Sequence, residues 1–212
     1  TQHHAFAYSN GTMTDLGALY TGLYSQANAI NNAGTIVGFS TTDYSYDQHA
    51  FKYENGVMTD LGLPANCDTT YATCISNNGY IGGYGYTTSY DTVPLLDTGA
   101  GLEDIGYLYT FSGGGRTAVS INGVNSSGYA VGYTYTADYS QNGFIYMDGV
   151  LYDLNDYLPA EWAGYRVSNC NGISDDGWIA ATVVVEGEYS SHAVLLHLVP
   201  EPSSLLLLMP VV

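Results

Sequence analysis

The sequence predicts an all-β fold, a β-propeller assembled from four-stranded blades of 45–49 residues, and three observations carry that expectation. Two short motifs alternate along the chain with one shared period. Strand-forming Tyr, Thr, Val and Ile stand between turns rich in Gly and Asn. No window carries apolar residues at i, i+3, i+4 and i+7 for three helical turns.

The first motif, HAFAYSNGTMTDLG at 4–17, returns as HAFKYENGVMTDLG at 49–62, more weakly as VPLLDTGAGLEDIG at 93–106 and NGFIYMDGVLYDLN at 142–155, and in part as HAVLLHL at 192–198. The second runs NAINNAGTIVGFS from Asn28, TCISNNGYIGGYG from Thr73, NGVNSSGYAVGYT from Asn122 and NGISDDGWIAATV from Asn171. Its anchors Ile30, Ile75, Val124 and Ile173 are spaced by 45, 49 and 49 residues, a period typical of propeller blades. Each period reads as four antiparallel strands: the Ala-Ile-Asn strand, a turn ending in Gly, an alternating strand such as 36–39, and a polar loop. The His-Ala-Phe strand, an Asn-Gly or Asp-Gly turn and the Met-Thr-Asp-Leu-Gly strand complete it. A β-sandwich or β-solenoid has the same strand content and stays open as an alternative. Compact Ala29, Cys74, Gly123 and Gly172 precede the anchors, where inner strands of neighbouring blades crowd together. Phe6, Phe51, Leu95, Phe144 and Val194 share one position and are expected to form layers between blades.

The repeats are expected at about 26–69, 70–115, 116–165 and 166–198, with 1–25 as a partial unit of one 1–198 domain and 199–212 as a tail. Both ends fall in mid-period. The N-terminal strands are therefore expected to complete a composite last blade, giving four to five blades, or to pair with a neighbouring molecule. An unpaired edge is a template for strand addition, and a head-to-tail exchange that does not close builds a filament.

A net charge of −17, from 3 Lys+Arg against 20 Asp+Glu, excludes nucleic acid as a partner, because Lys52, Arg116 and Arg166 are the whole supply of phosphate-neutralising side chains. The same scarcity removes a basic membrane-binding helix. An acidic surface rich in Tyr, Thr, Ser and Asn suits a secreted protein. Of three cysteines, Cys67 and Cys74 flank a turn-like segment and are the expected disulfide, with Cys170 left as a small buried hydrophobe.

His4, His49 and His192 repeat at one position, where Val93 and Asn142 stand in other copies. That substitution favours structural hydrogen bonding over a metal site, which needs converging ligands. Asp15, Asp60, Asp104 and Asp153 also share a position, and their expected role is to accept backbone N–H bonds; an oxygen site for Ca²⁺ is the alternative, and no other cofactor is expected. The loops between second and third strands bring Tyr44, Tyr46, Tyr90, Tyr139 and Tyr189 to one rim with Asp43, Asp47, Asp91, Asp138 and Glu188. Rings that stack on sugars beside acids that accept hydroxyl bonds suit glycan contact or a wet protein interface, against the alternative of a solvated loop set. No Gly-x-Ser-x-Gly, Walker or His-Glu-x-x-His motif singles out catalytic residues, so no enzyme activity is expected. Asn10 and Asn125 open the sequons Asn-Gly-Thr and Asn-Ser-Ser.

The His-Ala-Phe strand, the Thr-Asp-Leu-Gly segment and the Ile-Asn-x-x-Gly-x-x-Val-Gly-x-Ser module resemble the HAF-type bacterial extracellular repeat over nearly the whole chain. The tail VPEPSSLLLLMPVV, with Pro200, Glu201 and Pro202, resembles the start of a PEP-CTERM sorting signal. These resemblances imply export by a Gram-negative bacterium, recognition by a sorting peptidase of the exosortase type, and association with exopolysaccharide or biofilm matrix. Leu205 to Val212 fall short of the ~20 apolar residues of a spanning helix and no Arg cluster follows, so a mature or truncated form is expected. The expected function is a non-catalytic structural or adhesive component of the cell surface, assembling head-to-tail; a carbohydrate-binding module and a glycan-active enzyme are the alternatives.

Overall fold

The structure, a computed structural model, describes residues 3–20, 23–42, 47–110, 119–185, 187, 190–199 and 207–208. It is all-β. A hairpin of β1 (Ala5–Ser9) and β2 (Thr12–Gly17) precedes four four-stranded antiparallel sheets, each a meander of consecutive strands. Sheet I holds β3 (Ser25–Ile30), β4 (Ile36–Thr41), β5 (Gln48–Glu54) and β6 (Val57–Asp60). Sheet II holds β7 (Cys67–Ile75), β8 (Ile81–Thr87), β9 (Thr92–Asp97) and β10 (Glu103–Asp104). Sheet III holds β11 (Val119–Val124), β12 (Ala130–Tyr135), β13 (Gln141–Met147) and β14 (Val150–Asp153). Sheet IV holds β15 (Tyr165–Ile173), β16 (Trp178–Val185), β17 (Ser191–Val199) and β18 (Leu207–Leu208). Two 3-10 turns, Leu154–Tyr157 and Ala160–Trp162, link sheets III and IV. Among the described residues no helix is long and apolar enough to cross a membrane.

The outer hairpins close through two-residue turns whose first residues, Asn10, Asn55 and Asp148, hold φ of 50°, 53° and 52°. Asn and Asp tolerate this left-handed backbone, and each is followed by Gly. The inner hairpins carry a bulge in every sheet. The register slips between Ala27 and Ala29, Ala72 and Cys74, Ile121 and Gly123, and Cys170 and Gly172, leaving Asn28, Thr73, Asn122 and Asn171 as the extra residues. The bulge pushes a carbonyl toward the partner strand. A Cβ on Gly38, Gly83 or Gly132 would lie 1.8, 1.9 or 1.8 Å from the oxygen of Gln26, Tyr71 or Ser120, so only glycine fits.

Consecutive sheets pack face to face, and the layers alternate as the repeats predict. Ala5, Leu16 and Leu19 of the hairpin meet Ile36 and Phe51; Val37 and Ala50 meet Cys67, Ala72, Ile81 and Leu95. Cys74 and Leu96 meet Val119, Ile121, Ala130 and Phe144, and Val131, Ile145 and Leu154 meet Val167, Cys170, Ile179 and Val183. Gly123 is required because its Cβ would fall 2.7 Å from the Cα of Gly172 in the next sheet.

Three expectations are corrected. Cys67 and Cys74 form no disulfide, and none of the three cysteines joins one. The segment between them is not a turn but the body of β7, where Thr and Tyr favour extended backbone. Seven extended residues separate the pair by roughly 20 Å, against the ~7 Å Cα limit of a disulfide. Nor do the N-terminal strands complete the last sheet. β16 takes its neighbour β17 along Trp178–Val184, a local hairpin with little loop to close, and β17 in turn pairs with Leu207 and Leu208 of the tail. Finally, Phe6 is 57% exposed, whereas Phe51, Leu95 and Phe144 at its repeat position are 0% exposed.

Two outcomes test this architecture. Gly132→Ala lowers the unfolding free energy by roughly 1–3 kcal/mol, read as a lower urea midpoint at unchanged slope. Alkylation of the denatured, unreduced chain adds three groups by mass, one for each thiol; a single added group would mean a disulfide.

Candidate functional site

The sheets are tied by side chains that reach from one repeat to the next. Asn28 Nδ2 donates to Ala72 O at 2.8 Å, Thr73 Oγ1 donates to Ile121 O, and Asn122 Nδ2 donates to Cys170 O at 2.9 Å. The inner turns repeat the pattern: Asn31 Nδ2 donates to Ser76 O at 3.1 Å, Asn78 Nδ2 to Ser126 O at 2.7 Å, and Asn125 Nδ2 to Ser174 O at 3.2 Å. Farther out, Ala5 N donates to Ser25 Oγ at 2.8 Å and Ala50 N to Thr70 Oγ1 at 2.9 Å. Pro94 has no N–H at the next equivalent position, and the matching acceptor position there is Val119.

The repeated acids are local clasps. Asp15, Asp60 and Asp104 accept the backbone N–H of Gly17, Gly62 and Gly106, and Asp153 that of Asn155, at 2.7–2.9 Å. Their other contacts come from the repeated His position: His4 Nδ1 lies 3.0 Å from Asp15, His49 Nδ1 2.8 Å from Asp60, and Asn142 Nδ2 2.6 Å from Asp153. The Gly17 N–H, then His4, holds the Asp15 carboxyl below its ordinary value. Tyr20 donates to Asp60 at 3.2 Å and Tyr109 donates to Asp153, so each also bridges to the following sheet. His4 stands just before β1, His49 on β5 and His192 on β17, and among the described residues no three His, Cys, Asp or Glu gather as metal ligands.

Two exposed faces terminate this series. At the N-terminal end, His4, Ala5, Phe6, Met13 and Asp15 line a groove of about 500 Å³. At the other end, Trp162, Tyr165, Ala180, Thr182, Ala193 and Leu195 line one of about 670 Å³. By repeat equivalence each corresponds to one side of the contact that consecutive sheets make within the chain. Phe6 and Met13 match Leu95 and Leu102, which are buried against sheet I; Ala193 and Leu195 match Ala50 and Lys52 of that sheet, and Ile145 of sheet III. Leu195 is 45% exposed, while Ile145 is 0% exposed.

The rim is described in part. Tyr90 and Tyr139 occupy equivalent turns, 89% and 73% exposed, with φ of 63° and 64°. A bulky residue in this region is uncommon and strained. Their turns are held by Tyr90 N donating to Thr87 O and Tyr139 N to Thr136 O at 2.8 and 3.0 Å, with Asp91 N on Thr87 Oγ1 at 3.1 Å. Thr136 Oγ1 donates to Asp138 and holds that exposed carboxyl below its ordinary range. Tyr139, with Tyr135, Gln141, Arg166, Ser168 and Asn169, lines a cleft of about 600 Å³ between sheets III and IV. Asp43, Tyr44, Tyr46, Glu188, Tyr189, Pro200, Glu201 and Pro202 lie outside the described residues. The sequons differ: Asn10 is exposed on its hairpin, but Asn125 is 3% exposed. Its Oδ1 accepts from Ser127 N and Tyr129 N, each at 3.0 Å, while its Nδ2 is bound to sheet IV, so the folded chain does not offer it to a glycan.

An aromatic row escaped the sequence reading. Phe39 packs on Tyr71 of the next sheet with centroids 4.9 Å apart, Tyr71 stacks on Tyr84 at 4.8 Å, and Tyr133 meets Tyr135 at 5.9 Å. Burial first, then its tyrosine neighbours, pushes the Tyr84 hydroxyl up to about 12, so that ring is a neutral phenol. The signal was available: Phe39, Tyr84 and Tyr133 each follow the second-strand glycine.

The chain matches no protein-family model and no curated protein sequence.

Proposed function

We propose that the protein is a non-catalytic structural or adhesive component of a bacterial cell surface, a propeller-type repeat that associates head-to-tail through its two open sheet faces. The observation that carries this reading is that Phe6 lies exposed where Phe51, Leu95 and Phe144 are buried, and Leu195 where Leu96 and Ile145 are buried. Docking the last sheet of one copy on the N-terminal hairpin of the next repeats a contact already made within the chain. Burying Phe6 alone contributes about 1.5–3 kcal/mol. The HAF-type repeat and the PEP-CTERM-like tail support export from a Gram-negative cell, handling by an exosortase-type peptidase and a place in the polysaccharide matrix. The His–Asp pairs act as strand clasps, so no reaction is assigned to them.

The exposed, left-handed Tyr90 and Tyr139 favour a second reading, a carbohydrate-binding module at the rim, with Tyr139 and the cleft beside Arg166 as its sugar platform. In that case the chain is retarded in a gel containing a neutral polysaccharide, and Tyr139→Ala abolishes the retardation.

Light scattering after size exclusion tests the assembly. The wild-type chain grows in mass with concentration. Phe6→Asp and Leu195→Asp each stay monomeric, and an equimolar mixture of the two stops at dimers, since each variant retains the end the other lacks. A wild-type chain that is monomeric at every concentration, or variants that grow as it does, would overturn the proposal.

A further inference from the structure

Arg166, one of three Lys and Arg in the chain, lines two clefts between sheets III and IV. The cleft of about 600 Å³ carries the rings of Tyr135 and Tyr139. The other, of about 790 Å³, carries Thr136, Asp138 and Asn142. Ser140 and Val184 line both as well, so the two adjoin. Their walls are held by bonds within the chain. Gln141 fixes two of them: its carbonyl accepts from the Arg166 guanidinium, and its Nε2 donates to the Tyr135 hydroxyl at 2.9 Å. Asp138 accepts from Thr136 Oγ1, and from Ser140 Oγ at 3.3 Å. Asn142, 9% exposed, spends its Nδ2 on Asp153 at 2.6 Å, and its Oδ1 has no partner among the described residues. A buried acceptor left without a donor is costly.

The fold itself does not demand this set. At the same repeat offsets sheet II has Asp68 for Arg166, Ser89 for Asp138 and Val93 for Asn142. β15 also bulges at Ser168, two places later in the repeat than β7 does at Asp68, and a bulge re-aims the side chains beside it.

The geometry points to a site for two consecutive units of a neutral oligosaccharide chain, which straddles Arg166. This inference rests on the carbohydrate-binding reading and specifies its ligand. One unit lays the apolar face of its ring on Tyr139. The next donates hydroxyls to Asp138 and to Asn142 Oδ1 and accepts from the guanidinium. A hydroxyl both donates and accepts, as a carboxylate beside a guanidinium requires. A uronate instead sets its own carboxylate near Asp138, in a chain of net charge −17. Because Gln141, Thr136 and Ser140 already hold Arg166, Tyr135 and Asp138 in place, little of the site has to be ordered on binding.

Isothermal calorimetry on the full chain tests this, with neutral hexose oligomers of several linkages, from the monosaccharide upward, and oligouronates of equal length as probes. At least one neutral series is expected to bind one-to-one, about tenfold or more tighter as a disaccharide than as the monosaccharide, and tighter than the oligouronates. Arg166→Gln and Asp138→Asn each lower that affinity about tenfold or more, the loss of one hydrogen bond to a charged group. Asp138→Asn, an exposed change, carries the test where Arg166→Gln fails to fold. Absence of saturable binding by every neutral oligomer, indifference to length, affinity that survives the substitutions, or tighter binding of an oligouronate overturns the inference. If Tyr139→Ala still abolishes retardation by the neutral polysaccharide in that case, the sugar platform stands without it; if the wild-type chain is not retarded either, both fall.

Discussion

Every four-stranded sheet carries a bulge near the end of its first strand, at Asn28, Thr73, Asn122 or Asn171, and the way that extra residue is accommodated governs much of the rest. The bulge turns the side chains of Asn28, Thr73 and Asn122 out of their own sheets and onto carbonyls of the next. A bulged strand leaves backbone groups without ladder partners, and a buried carbonyl left unpaired is costly. Here the side chain of the preceding repeat supplies the missing donor. Each bond is worth about 0.5–1.5 kcal/mol net, less than the apolar layers contribute, and it ties consecutive sheets at the same place in each repeat. The glycines of the second strand follow from the same bulge, because its displaced carbonyl occupies the space of a Cβ.

A structure of this kind is held together by neighbours. Among the described residues the cores join consecutive units, hairpin to sheet I and then sheet to sheet, so each interface stabilises two repeats. Sheet IV departs from the pattern: Asn171 turns its amide to Thr182 of its own sheet at 3.3 Å. Val194 replaces the larger Phe or Leu of other copies, and Ala181 stands where the others need glycine.

The strands, turns and Asp clasps were legible because repetition aligns four or five versions of each feature, and a role shared by Asp15, Asp60, Asp104 and Asp153 cannot depend on one local accident. The reading failed where the answer lay in a neighbour. Phe6 and Phe51 have nearly identical sequence surroundings, and only the presence of a preceding hairpin against Phe51 distinguishes a core residue from a surface one. Asn125 sits in a turn rich in Ser and Gly, the profile of an exposed loop, yet sheet IV covers it. Cys67 and Cys74 suggested a staple because the residues between them are polar; alternate burial along β7 explains that polarity without a turn. Bulges have no sequence signature of their own here beyond the shared Asn or Thr, whose partners lie 44 to 48 residues away.

The buried thiols bear on how the chain matures. Burial pushes Cys74 up to about 12 and Cys170 upward as well, so both are neutral and screened from oxidants, serving as compact fillers where Cys74 and Ile121 close on Gly82, and Cys170 and Val167 on Gly143. No disulfide joins the described strands, so packing and hydrogen bonds alone hold them together, and their connectivity is the same in a reducing and in an oxidising medium.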